Sequence, residues 1–173
     1  MKKTKQLSLI AIYGASGAGK TTLTDLLHGD LSYTARLGTD HIKRFISEFR
    51  TIESHNKVSR KVINAMAVEY LKNGISVIVE QGMERSEIEE LEKIAKENGA
   101  KFFAYSLNVA REIIDERVTK RSLELGKQIT PKEKLDFFHK RHLDNDYPHV
   151  TATFDTGMFT SREIADQILN DLI

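Results

Sequence analysis

An α/β fold, with a mostly parallel sheet covered by helices on both faces, is what the 173-residue sequence predicts, and three observations carry that expectation. Short apolar runs bounded by breakers alternate with longer stretches of helical period. Three of the helical stretches carry their own start signals. A glycine-rich loop joins the first apolar run to the first amphipathic one. Strands that alternate with helices need crossover connections, which are right-handed and lay the helices on the faces of the sheet.

The elements follow in chain order. Leu7 to Tyr13, Ile75 to Glu80 and Phe102 to Leu107 are strand candidates, Thr151 to Phe154 is a weaker one, and another ends at Thr39. Val58 to Lys72 predicts a helix in which Val58, Val62, Ala65, Met66 and Tyr70 share a face, with Asn73 and Gly74 ending it. Ser86 to Asn98 is a second helix: Ser86 and Glu89 fit a capping box, Ile88, Leu91 and Ala95 line its apolar side, and Gly99 follows its end. Thr130 and Glu133 repeat the box with Pro131 at the first helical position, and Thr160 and Glu163 repeat it before Ile164, Ile168 and Leu172.

Composition narrows the function classes. A hydrophobic content of 40% over this length supports one compact domain, residues 1–173, with a real core. The formal net charge of +1 gives no general attraction to nucleic acid or membrane, so any anion must be held by a local site. The lack of cysteine excludes a disulfide scaffold, thiolate zinc ligands and a cysteine nucleophile together. The start "MKKTKQLSLIAIYGA" imitates a signal peptide, but its apolar run continues into the glycine loop, which cleavage would destroy. With no apolar segment of membrane-spanning length, the expected location is cytoplasmic.

That loop, "GASGAGKT" from Gly14 to Thr21, satisfies the phosphate-loop pattern of Gly, any four residues, Gly, Lys, then Ser or Thr. A β-like run precedes it and the amphipathic "TTLTDLL" follows, the strand, loop and helix context the motif requires. Glycines let backbone N–H groups curl around phosphate oxygens, and the helix N-terminus adds partial positive charge. Gly14, Ala15, Ser16, Gly17, Ala18, Gly19, Lys20, Thr21 and Thr22 would therefore hold a nucleotide. Lys20 would reach the β and γ phosphates of ATP, and the Thr21 hydroxyl would ligate Mg2+. Guanine recognition needs a late Asn-Lys-x-Asp, which the early "NKVS" at Asn56 does not supply. What remains is a small phosphotransferase.

The phosphate loop, "GTDHIKRF" some twenty residues on, "GISVIVE", "LNVAREIIDERVTKR" and "FDTGMFTSREIADQIL" resemble, over nearly the whole chain, the P-loop kinases of small molecules in the nucleoside-monophosphate-kinase-like superfamily. Within these the chain is most similar to the group containing polynucleotide kinases, chloramphenicol phosphotransferase, zeta-toxin kinases and phosphoglycerate-type kinases. The resemblance implies a three-layer sandwich with a five-stranded parallel sheet in the order 2-3-1-4-5, a helical lid at about residues 117–131, and a magnesium-ATP donor. Arg117 and Arg121, four apart on a helix, project from one face. In the resembled kinases the first arginine of such a pair stacks on adenine and the second meets the phosphates. The alternative is a solvated face whose arginines pair with Glu112, Asp115 or Glu116.

An acceptor hydroxyl needs a carboxylate to orient it and take its proton, and the candidates are Asp40 and Glu80. Asp40 falls at the end of the second strand, on the ligand-binding edge of a parallel sheet. The resemblance makes it an acceptor ligand or base; capping of the following helix by Thr39 or Asp40 is the structural alternative. Glu80 closes its strand where many phosphate-loop enzymes carry a magnesium-holding Asp, or it binds the acceptor. Lys43, Arg44 and Arg85 point to an anionic acceptor. His41, His139, His142 and His149 lack metal-ligand spacing. The functional expectation is an ATP-dependent phosphotransferase acting on a small acceptor, without nucleic-acid or membrane partners. The alternatives are a nucleic-acid 5'-end kinase and a non-catalytic ATP-binding regulatory protein.

Overall fold

The computed structural model describes residues 6–48, 53–126 and 128–172. Its elements run β1 (Ser8–Gly14), α1 (Lys20–Asp30), β2 (Thr34–Gly38), α2 (Thr39–Lys43), α3 (Glu53–Lys72) and β3 (Ser76–Gln81), then α4 (Arg85–Glu97), β4 (Lys101–Asn108), α5 (Arg111–Glu124), α6 (Lys132–Leu143), β5 (Ala152–Asp155) and α7 (Ser161–Asp171). The five strands form one sheet in the order β2-β3-β1-β4-β5, and every pairing is parallel. β1 lies at its centre, with Ile12 opposite Glu80 of β3 on one side and Tyr105 of β4 on the other.

Alternation along β1 divides the core. Ile10 and Ile12 face α1, α5 and α7, packing on Leu23, Leu27, Ile114, Val118, Ile164 and Ile168. Leu9, Ala11 and Tyr13 face α3 and α4, packing on Ile63, Leu71, Ile88 and Leu91. Both faces of a parallel sheet are thereby covered, which is why its central strands read as unbroken apolar runs. Among the described residues no helix is long and apolar enough to cross a membrane.

Three local expectations are corrected. α3 buries Ser59, Ile63, Ala67 and Leu71, whereas Val58, Val62 and Ala65 are exposed and only Met66 and Tyr70 pack partly against the core. The buried row is shifted by one residue, about 100° around the helix. Both rows are apolar enough to satisfy a periodicity count, and the smaller Ser59 and Ala67 suit close approach to the sheet. Burial of Ser59 is offset by its Oγ donating to His55 O at 3.1 Å. In α4 the box belongs to Glu84 and Glu87, not Ser86 and Glu89: the Glu87 carboxylate accepts the Glu84 N–H at 2.8 Å. α6 starts one residue late, with Pro131 at its N-cap and no side-chain capping bond from Thr130. The Thr160 and Glu163 box forms as expected.

Candidate active site

The phosphate loop connects the central strand to α1, so it stands on the sheet edge where ligands of parallel folds bind. Gly17 (φ 82°) and Gly19 (φ 89°) occupy left-handed conformations, and Gly19 N-caps α1. At Gly14 a Cβ would stand 2.6 Å from Leu107 O, so only glycine lets β4 come this close to the strand end. These features place the unpaired N–H groups of the α1 N-terminus at the loop, a ready anion cradle. Lys20 Nζ donates to Gly14 O and Ala15 O, each at 2.9 Å. Burial lowers the Lys20 pKa to about 8 from 10.5; Glu80 and Asp40 oppose that shift and the Arg121 charge adds to it.

Beside the loop lies a cleft of about 620 Å³. Lys20, Thr21, Asp40, Lys43, Arg44, Glu80 and Arg121, spread over residues 20–121 in sequence, all line it. Gly14, Ala15 and Ser16 do so as well. Gly19, Thr22 and Arg117 instead line a second cavity, of about 390 Å³, with Thr156, Gly157, Met158, Phe159 and Thr160 from the β5–α7 connection and Ser161 at the start of α7. The arginine pair is thus split between two spaces. Arg85 faces neither: it pairs on the surface with Glu89 at 2.7 Å and Asp146 at 3.1 Å.

Arg117 binds backbone and hydroxyl groups, donating to Thr156 O at 2.7 Å, Thr156 Oγ1 at 3.0 Å and Gly17 O at 3.4 Å. It therefore ties α5 to the phosphate loop and to the segment after β5. The surface pairing expected as an alternative goes to Arg111, which meets Asp115 at 2.8 Å and Asp136 at 2.6 Å. α5 runs unbroken through residues 117–124, so the first half of the lid segment is the end of a helix resting on the loop. Gly17 is packed against it, for a Cβ there would stand 3.0 Å from Val118 Cγ2.

The two acids differ in kind. Glu80 is buried, accepts from Thr24 Oγ1 at 2.6 Å and from Arg36 Nη2 at 2.6 Å, and Arg36 also pairs with Asp25. Both of its carboxylate oxygens are thus engaged, Oε2 by Thr24 and Oε1 by Arg36. Asp40 is 89% exposed at the cleft wall, with Lys43 Nζ 3.4 Å from its Oδ1. It does not cap α2: Gly38 holds the N-cap position, and Thr39 and Asp40 lie in the first turn.

Arg36, Arg60 and Arg141 escape sequence reasoning, and His142 is weighed there only as a metal ligand. Arg36 had one available signal, a charge inside the short strand "TARLG", where a half-buried position demands a partner. His142, on α6, lines the cleft and donates from Nε2 to Asn108 Oδ1 at 2.6 Å, edge-on to the Tyr13 ring at 5.9 Å. Burial, then the Lys20 charge, lowers its pKa to about 4 from 6.5. The unfolded chain takes up this proton below pH 6.5 and the folded one only near pH 4, so stability falls as pH drops through that window. His142→Gln should remove about 2 kcal/mol of the stability difference between about pH 7 and pH 4.5, read from urea midpoints. Equal pH slopes in the two proteins would show that His142 is not held neutral.

Comparison with known proteins agrees with this architecture. A family model described as "AAA domain" (AAA_33) matches residues 9–142. No curated protein matches in sequence. Among solved structures, a protein of Chloroflexus aurantiacus proposed to be a kinase superposes with TM-score 0.76 at 18% identity, covering 97% of each chain. A gluconokinase from Sinorhizobium meliloti gives TM-score 0.69 at 19% identity, over 97% of this chain and 93% of that one. The APS kinase of Mycobacterium tuberculosis, solved with AMPPNP and APS, gives 0.64 at 13% identity, over 97% and 98%. The chain belongs to the AAA_33 family, and its fold, a parallel five-stranded sheet in the order 2-3-1-4-5 flanked by helices, is shared with these solved structures.

Proposed function

We propose that this protein transfers the γ-phosphoryl group of ATP to a hydroxyl or phosphate of a small acceptor. The observation that carries the reading is the shared cleft, in which Lys20 and Thr21 of the phosphate loop, Arg121 of α5 and Asp40 of α2 line one space. A phosphate loop by itself only binds; an arginine and a carboxylate opposite it supply what transfer needs. The kinase folds to which the chain is similar support the same class.

The roles follow from chemistry. Lys20 would leave its two carbonyl partners for the β and γ phosphates, which also restore the charge that burial disfavours. Arg121 would meet the negative charge spread over the transferring group. Arg117 would flank the base in the smaller cavity, beside Thr22. Among the described residues no cluster of acids and histidines could hold a metal alone, which fits Mg2+, an ion that binds through one or two protein oxygens and the substrate's phosphates. The exposed Thr21 hydroxyl would be that oxygen, and the ion would neutralise phosphate charge.

Asp40 would orient the acceptor hydroxyl and take its proton, since Glu80 is occupied by Arg36 and Thr24. Asp40→Asn keeps shape and hydrogen bonding while removing basicity. It should lower kcat about 100-fold, with the KM for ATP and the melting temperature unchanged because the side chain is exposed. Turnover equal to wild type would refute the role.

A further inference from the structure

Two arginines of the large cleft have no part in the nucleotide reading: Arg60 on α3 and Arg141 on α6. Both are anchored from behind by the first turn of α4. Arg60 Nε meets Glu87 Oε1 at 2.5 Å, and Arg141 Nη1 meets Glu84 Oε1 at 3.3 Å. The arginines line the cleft; the two glutamates do not. Glu87 also accepts the Glu84 N–H, so one carboxylate both caps the helix and fixes a guanidinium. Arg141 is further held over the Phe138 ring at 5.5 Å, and its Nη2 lies 3.6 Å from where a Cβ of Gly82 would stand. Three helices thus converge to hold two planar cations, each about three-quarters buried or more, in fixed positions on one wall.

Placement outside the phosphate loop decides what they are for. Lys20 and Arg121 are matched to the nucleotide, Lys43 lies beside Asp40, and Glu80 is neutralised by Arg36. The described lining of the cleft itself carries six cations, Lys20, Lys43, Arg44, Arg60, Arg121 and Arg141, against two acids, Asp40 and Glu80, because the glutamates that partner Arg60 and Arg141 stand behind them and outside the lining. A neutral acceptor would displace water from these cations without matching their charge. A planar guanidinium fork fits carboxylate and phosphoryl oxygens in pairs.

The geometry points to an anionic acceptor: an alcohol bearing a carboxylate or a phosphoryl group, whose anionic end is held by Arg60 and Arg141 while its hydroxyl lies at Asp40. The hydroxyl half rests on the phosphotransferase reading; the anion site rests on the two arginines. Met83, Leu125 and Phe138 supply an apolar wall for the carbon skeleton.

The test saturates the protein with Mg-AMPPNP, to fill the phosphate loop, and titrates it calorimetrically with inorganic phosphate, glycerol 3-phosphate, glycerate and glycerol. The inference expects at least one anion to bind at least tenfold more tightly than glycerol, and Arg60→Met and Arg141→Met each to weaken that binding at least tenfold without changing the AMPPNP affinity. Preference for glycerol 3-phosphate or for glycerate distinguishes the phosphoryl from the carboxylate source, and either supports the site. Arg60→Lys and Arg141→Lys keep the charge and check that loss of binding is not loss of folding. Anions binding no better than glycerol, or binding the double Met variant as well as wild type, would overturn the inference. Should AMPPNP itself fail to bind, the kinase reading falls, and phosphate titration of the free protein against the double variant decides the anion site separately.

Discussion

Lys20→Met is expected to lower turnover by about 10²–10³-fold, the usual cost of deleting one preorganised donor to developing charge. The physical case rests on where the ammonium sits. It is tucked against Gly14 O and Ala15 O inside the loop, and burial lowers its pKa to about 8. A cation kept in a place that disfavours its charge is waiting for an anion. For the same reason the substitution should not destabilise the empty protein at neutral pH: methionine keeps the stem and removes a desolvated charge, at the cost of two hydrogen bonds worth about 1 kcal/mol each. Reduced turnover in a variant that melts at or near the wild-type temperature is the predicted pair of results. Turnover near wild type would remove the phosphate loop from the mechanism.

Arg121→Ala should have an effect of similar size, on the order of 10³-fold on kcat, and it should be separable from Arg117→Ala. The two residues are one helical turn apart but face different spaces, Arg121 the large cleft and Arg117 the cavity beside Thr22 and Thr156. On the proposed reading, removing Arg121 would delete charge stabilisation realised only as the phosphoryl group moves, so kcat should fall while ATP affinity changes little. Removing Arg117 cuts α5 loose from Thr156 and Gly17 and, on the proposed reading, would also delete binding to the base, so the KM for ATP should rise and stability drop. Steady-state kinetics on the two variants read the split directly. If both raised KM alike and left kcat intact, Arg121 would be a nucleotide ligand and not a transition-state partner.

How much of this was legible in the sequence depends on the range of the interaction. Strands came through because a parallel sheet buried on both faces forces continuous apolar runs, and breakers at Gly14, Gly74 and Gly99 set their limits or those of the neighbouring helices. The loop was readable because its chemistry is local: eight consecutive residues make the cradle. The buried side of α3 was not, since Val58-Val62-Met66 and Ser59-Ile63-Ala67 are both plausible apolar rows and only the packed sheet chooses between them. Arg60 and Arg141 were invisible for a related reason. On paper each is a charged residue on a helix, and only the fold brings α3, α4 and α6 together so that Glu84 and Glu87 turn both arginines toward one cleft. Glu80 is readable as a strand-end acid, but its partner Arg36, 44 residues earlier, is brought to it only by the pairing of β2 with β3.

The most direct test of the central claim is a phosphotransfer screen with γ-labelled ATP against a panel of hydroxy acids, sugar acids, phosphomonoesters and nucleosides, run with wild type, Lys20→Met and Asp40→Asn. Label transferred to an acceptor by wild type, and lost by at least 100-fold in both variants, is the predicted result. Tight magnesium-dependent ATP binding by wild type, with no label reaching any acceptor above the level of either variant, would contradict it and make the protein a nucleotide-binding regulator.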